Sequence, residues 1–135
     1  MKKFILIPFL ITGAFVYAQD VKFKDSKVYI DKVEVLSYKK EKYLWEYYFY
    51  KLNTTDDVMF ISRERNGTDY DSDDYTKLYF PQYKIKIESK SLWFGANSKP
   101  VVEKLILEKV LEKDGTINEE RLKMFQEKYN EIILK

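Results

Sequence analysis

Cysteine and histidine are both absent from this chain of 135 residues. Without cysteine the chain has neither disulfide bonds nor a thiolate nucleophile, so its stability must come from its core. Without histidine it lacks Ser-His and Cys-His catalytic machinery, and without both residue types it lacks the ordinary ligands of zinc and copper. These absences favour a protein that is not an enzyme, and they predict no bound cofactor.

The N-terminal 18 residues have the order of a secretory signal peptide. Lys2 and Lys3 form a short positive start, residues 4–16 are mostly apolar, and Ala18 ends a stretch that suits cleavage. The apolar run is too short and too interrupted for a stable membrane span, which needs about 20 residues. We therefore expect residues 1–18 to be removed and the mature protein to be periplasmic or secreted.

Net charge is also absent from the expected mature chain. Removing Lys2 and Lys3 from the 24 basic residues leaves 22, which equals the 22 acidic ones. A nucleic-acid-binding protein would be expected to keep a basic excess, because contacts with phosphates supply much of its affinity. The balance of charges therefore argues against a nucleic-acid partner.

Aromatic residues are concentrated in the stretch from Tyr43 to Leu52, where six of the ten residues are aromatic. This composition is typical of a β-strand and poor for a helix. One side of the predicted strand carries Trp45, Tyr47 and Phe49, and the other carries Tyr48 and Tyr50 among others. Because both sides are apolar, we predict a strand near the middle of the sheet that is covered on both faces.

Alternating apolar and polar residues predict further strands on either side of this stretch, and the period then changes to that of helices. Two helical patterns follow, one starting at Ser98 and ending near Gly115, the other starting at Thr116 or Asn118 with an apolar stripe that reaches Ile132. The predicted fold is α+β: an antiparallel, strongly curved sheet of about five to six strands, followed by a two-helix hairpin packed on one face. Residues 19–135 would form a single domain, β-rich over 19–95 and helical over 98–135.

Four aspartates in one segment form the sharpest polar cluster: Asp69, Asp71, Asp73 and Asp74. Alternate carboxylates can converge on calcium, but an EF-hand counted from Asp69 would need glycine at its sixth position and glutamate at its twelfth. Asp74 and Phe80 stand there instead. The favoured interpretation is a solvated acidic loop, while calcium binding or a carboxylate-dependent hydrolase that uses this segment is the alternative.

Exposed aromatic rings are a second group of candidates, since such rings with a polar rim stack against sugar rings or aromatic ligands. We consider Trp93, Tyr70 and Tyr75 as ligand-binding residues on this ground, whereas Trp45 is assigned to the core and its edges. Glu46 interrupts an apolar face, where burial would raise its pKa. The favoured interpretation of Glu46 is a solvent-facing or cross-strand-paired carboxylate.

The sequence as a whole predicts a small exported, non-catalytic domain that binds an exported protein partner or a small ligand, as an envelope-associated accessory protein would. An exposed, contiguous apolar patch on the folded surface would favour a protein partner.

Overall fold

The computed structural model describes residues 20–41, 45–65, 74–92 and 97–133. A seven-stranded antiparallel sheet is followed by two helices. The strands are β1 (Val21–Lys24), β2 (Lys27–Ile30), β3 (Val33–Glu41), β4 (Glu46–Lys51), β5 (Asp57–Glu64), β6 (Tyr75–Phe80) and β7 (Ile85–Ser89). The helices are α1 (Lys99–Leu107) and α2 (Glu119–Tyr129). Among the described helices, none has the length and apolar character needed to cross a membrane.

Each strand pairs with the next one along the chain, so β4 is the central strand, as the aromatic stretch predicted. The sheet has seven strands rather than five to six, because residues 21–30 form two separate four-residue strands around a turn at Asp25 and Ser26, both with positive φ. The sheet also stays open, with β1 and β7 as its edges, and in this respect it departs slightly from the strongly curved sheet predicted.

Only one face of the sheet is covered by the helices. Tyr47 and Phe49 of β4 are 3% and 1% exposed, whereas Tyr48 and Tyr50 between and beyond them are half-buried. We call the covered side the inner face and the other side the outer face. The inner face forms one core with the buried side chains of both helices, namely Val101, Val102, Leu105, Ile106, Leu122 and Phe125. The helices therefore cover only one side of β4, and the cover of the other side, by the sheet itself or by a partner, stays a prediction.

The first helix ends earlier than predicted, at Leu107 rather than near Gly115. Lys109 has a φ of 64°, outside the helical range, and the backbone N–H groups of Val110 and Leu111 both donate to the carbonyl oxygen of Leu105. Leu111 then forms an isolated β-bridge with Ile117. The connection between the helices is thus a short non-helical segment that is closed by a β-bridge. Sequence periodicity alone does not distinguish this segment from a continuation of α1.

Three other details differ from the predictions. Trp45 precedes β4 with a φ of 55° and is 42% exposed, so it lies outside the strand and at the edge of the core rather than inside it. Ile132 lies beyond the end of α2 and is 94% exposed, so it does not continue the apolar stripe. The stretch from Tyr38 to Lys42 is polar and rich in lysine, which predicts a connection between strands. Its residues as far as Glu41 instead belong to β3, because each of them pairs with β4.

Candidate functional site

The sequence-predicted site residues divide into two groups. Asp69, Tyr70, Asp71, Asp73 and Trp93 lie outside the described residues, so their assignments stay predictions. Asp74 and Tyr75 are described: Tyr75 begins β6, is 7% exposed and pairs in register with Glu64. Asp74 directly precedes β6 and lines a pocket.

This pocket has a volume of about 240 Å³ and lies at the end of the sheet where β4 begins and β5 ends. Its described lining consists of Trp45, Arg63, Arg65 and Asp74. The antiparallel pairing places these residues together, because Arg63 is opposite Thr76 in β6 and its backbone N–H donates to the carbonyl oxygen of Trp45. Residues distant in sequence therefore meet through strand register rather than through a local motif.

An ion pair forms one wall of the pocket. The Nε and Nη2 atoms of Arg63 donate to Oδ2 of Asp74 at 3.1 and 2.8 Å. The Asp74 side chain is 8% exposed, and its second oxygen, Oδ1, is buried without a hydrogen-bond partner in the described structure. A buried acceptor left unpaired costs about 1–3 kcal/mol, so this oxygen stands out as an unsatisfied group.

Trp45 forms the adjacent wall. The Arg63 guanidinium carbon lies 5.3 Å from the centroid of the Trp45 ring, which is the geometry of a cation–π contact. Positive φ is rare for a bulky residue, and strained backbone of this kind is concentrated at binding sites. The backbone of Trp45 thus has an unfavourable conformation, and its exposed indole ring lies next to the fixed guanidinium group of Arg63.

The described residues do not form a metal site. Among them there is no group of three or more aspartate, glutamate, cysteine or histidine side chains that could hold a metal ion together. Asp74, the described member of the predicted calcium segment, instead bonds to Arg63. The rest of that prediction falls on residues outside the described ranges.

The outer face carries a second candidate, which sequence reasoning missed. Cross-strand partners share a face, and the register pairs Tyr48 with Phe60 and Phe60 with Tyr79. These three side chains, which we call the aromatic row, run across β4, β5 and β6. The rings of Tyr48 and Phe60 are 4.9 Å apart and tilted by 51°, while Tyr79 is 37% exposed.

Charged residues border the aromatic row. Lys39 of β3 pairs with Tyr48 and Lys86 of β7 pairs with Tyr79, so an exposed lysine lies at each end. The Nζ atom of Lys77 lies 5.9 Å from the centroid of the Phe60 ring. The row is therefore an apolar strip with a rim of mixed charge, because the register also places Glu46 and Glu88 on this face, in line with Lys77. The sequence does not reveal the strip, because Tyr48, Phe60 and Tyr79 become neighbours only through register.

Glu46 lies beside this strip and is half-buried. Its Oε1 accepts a hydrogen bond of 3.1 Å from the Tyr48 hydroxyl. Burial, followed by this contact with the Glu46 carboxylate, raises the pKa of Tyr48 above its ordinary value. Tyr48 thus remains a protonated donor at neutral pH. Glu46 is bonded to a tyrosine of its own strand, whereas we expected it to face solvent or to pair with a cross-strand lysine or arginine.

Comparison with known proteins identifies no relative: no family model, no curated protein and no solved structure matches this chain.

Proposed function

We propose that this protein is a small, non-catalytic binding domain that is exported to the periplasm or the cell exterior and engages an exported protein partner. The observation that supports this proposal is the aromatic row of Tyr48, Phe60 and Tyr79 on the outer face. One face of an antiparallel sheet is ordinarily polar where it meets water, and a strip of aromatic side chains there is typical of an interaction surface.

The composition of the strip fits a protein partner. Tyrosine is enriched among the residues that dominate binding energy at protein interfaces, where a ring supplies apolar area and a hydroxyl supplies a hydrogen bond. Lys39 and Lys86 at the ends of the row, together with Glu46 and Glu88 beside it, favour a partner with groups of both charges at the rim of its interface. The lack of histidine and cysteine agrees with binding without catalysis.

The test compares three immobilised forms of the protein that begins at Gln19, each exposed to culture and envelope fractions of the producing cells. The first is unchanged, the second carries Phe60→Ser and Tyr79→Ser, and the third carries Leu107→Ser and Met124→Ser. The third is a matched control, because Leu107 and Met124 are 63% and 56% exposed on the helices, away from the row.

We expect one exported protein to be retained by the unchanged form and the helix control, and its affinity to fall by more than tenfold in the row variant. Loss of a central aromatic contact costs about 2 kcal/mol or more, which corresponds to that change. Thermal melting of all three forms checks that they are folded. Equal retention by the row variant, or loss in the helix control alone, would contradict the proposal.

A further inference from the structure

We infer that the pocket lined by Trp45, Arg63, Arg65 and Asp74 binds a carboxylated sugar ring, such as a uronic acid unit of an acidic glycan. This site is distinct from the aromatic row. Arg63 occupies an inner-facing position of β5, opposite Thr76, whereas Phe60 occupies an outer-facing one. The inference does not depend on the proposed protein partner.

The size of the pocket suits one ring. Its volume of about 240 Å³ is below the range of roughly 300–1,000 Å³ that is typical of sites for drug-sized ligands. The pocket is bounded by an indole ring and by two guanidinium groups, which are flat surfaces. A single six-membered ring therefore fits better than a long or bulky ligand.

Trp45 supplies the stacking surface. The C–H groups on one face of a pyranose ring carry partial positive charge and pack against the negative face of an aromatic ring. Trp45 keeps 42% of its surface exposed although Arg63 lies over its ring. Asp74 fixes the position of the Arg63 guanidinium, and this group in turn fixes the orientation of the indole ring.

Arg65 supplies the charge that selects an acid. It is exposed, and in the part of the chain that the structure describes it has no ion-pair partner. Arg63, by contrast, is already bonded to the Asp74 carboxylate. A guanidinium group binds a carboxylate through two parallel hydrogen bonds, so Arg65 is suited to hold the acid group of the ligand.

Asp74 supplies the preference for a sugar over a flat aromatic acid. Its buried Oδ1 lacks a hydrogen-bond donor, and the sugar hydroxyls are donors. Asp74 lines the pocket, so a sugar hydroxyl placed beside it can donate to this oxygen while Oδ2 stays bonded to Arg63. A benzoate has a ring and an acid group but no hydroxyl, and it would leave Oδ1 unpaired.

The experiment follows the indole N–H signals of the two tryptophans by NMR while trigalacturonate is added to the ¹⁵N-labelled protein. The signal that disappears in Trp45→Phe identifies Trp45. We expect trigalacturonate to shift this signal in a saturable manner. Its methyl ester, which has the same rings without charge, and benzoate should each bind at least tenfold more weakly, a difference of about 1.4 kcal/mol.

Two matched variants test the role of Arg65. Arg65→Gln should weaken the binding of trigalacturonate at least tenfold, whereas Arg121→Gln, which removes an exposed arginine from α2, should leave it unchanged. Neither exposed side chain supports the core, so both variants should melt like the parent. An unshifted Trp45 signal, equal binding of the methyl ester or of benzoate, or equal affinity in Arg65→Gln would overturn the inference. The aromatic-row variant should bind the glycan normally, which separates a failure here from a failure of the proposed function.

Discussion

Trp45 shows how a single residue can act against the local preferences of the chain. Its φ of 55° is unfavourable for any residue with a Cβ atom, and its ring is not buried in return. Arg63 contacts this ring and is fixed by Asp74, so the strained residue belongs to the wall of a pocket rather than to the core. Local rules are most often broken at sites that serve function, which agrees with the role inferred for Trp45.

The strained backbone at Trp45 predicts that the same two substitutions will have opposite orders of stability at Trp45 and at Tyr48. Trp45→Gly should be more stable to urea than Trp45→Ala by roughly 1 kcal/mol, because glycine adopts positive φ without steric cost and alanine does not. The same pair at Tyr48, within β4, should give the opposite order, since glycine weakens a strand by about 0.5–1 kcal/mol. The same order at both positions would show that the backbone at Trp45 is not strained.

At the scale of elements, the segment that follows α2 covers the outer edge of β7, the last strand of the described sheet. The backbone N–H of Glu131 donates to the Glu88 carbonyl oxygen, and the Glu88 N–H donates to Oδ1 of Asn130. The Glu131 carboxylate also accepts from the Ser89 hydroxyl at 2.6 Å. An unpaired edge strand invites pairing with other chains, so this contact both orders the C-terminal segment and blocks the edge.

This contact predicts a dependence on pH. The hydrogen bond from the Ser89 hydroxyl, with further bonds from residues 90 and 91, lowers the pKa of Glu131 below its ordinary value of 4.5. Because the pKa of Glu131 is lower in the folded protein than in the unfolded chain, its ionised form stabilises the fold above pH 4.5, the ordinary pKa. This stability is lost as the pH falls through the lower pKa of the folded protein. Glu131→Gln should therefore lower the free energy of unfolding by about 1 kcal/mol at pH 7 and by much less at pH 3. This magnitude is that of a charge-assisted hydrogen bond, reduced because the carboxylate is partly exposed.

Urea unfolding at the two pH values measures this difference, with Glu127→Gln as the control because Glu127 is exposed on α2. The control should change little at either pH. An equal cost of Glu131→Gln at pH 7 and pH 3 would show that the charged form of Glu131 does not stabilise the fold.

At the scale of the whole molecule, the helices and the sheet share one core without any disulfide. Leu122 of α2 is fully buried in the same cluster as Phe49, Ile61 and Leu78 of the sheet. Gly115, between the helices, has a φ of 89°, and a Cβ atom there would lie 2.5 Å from the carbonyl oxygen of Val35. The helical segment is thus fitted closely to the sheet, and we expect both to unfold together.

Leu122→Ala tests this cooperativity. Removing a buried leucine side chain should cost about 2–5 kcal/mol, whereas Met124→Ala, at a residue 56% exposed on the same helix, should cost about 0.5 kcal/mol or less. Helical circular dichroism and tryptophan fluorescence should report the same urea midpoint in each protein. Loss of the helical signal ahead of the fluorescence change would show that the helices unfold as a separate unit.

The elements themselves were largely predictable, because alternation and helical periodicity are properties of neighbouring residues. The strand nature of the aromatic stretch and the strands on either side of it follow from such local patterns. The local pattern also placed the start of α2 at Thr116 or Asn118, and the structure selects Asn118 as its N-cap. The end of α1 was not predictable, since the break at Lys109 is completed by the bridge between Leu111 and Ile117. The pocket was not predictable either, because Trp45 and Asp74 meet only through strand pairing.

The sequence by itself determined that the protein has neither disulfides nor histidine chemistry, that strands precede helices, and that the aromatic strand carries apolar residues on both sides. Only the tertiary structure decided which side the helices cover, and hence that Tyr48, Phe60 and Tyr79 remain on the outer face. It also decided that Arg63 is bonded to Asp74 beside Trp45. The physical reason is that alternation is encoded within one strand, whereas register and coverage depend on contacts between residues that are far apart in the chain.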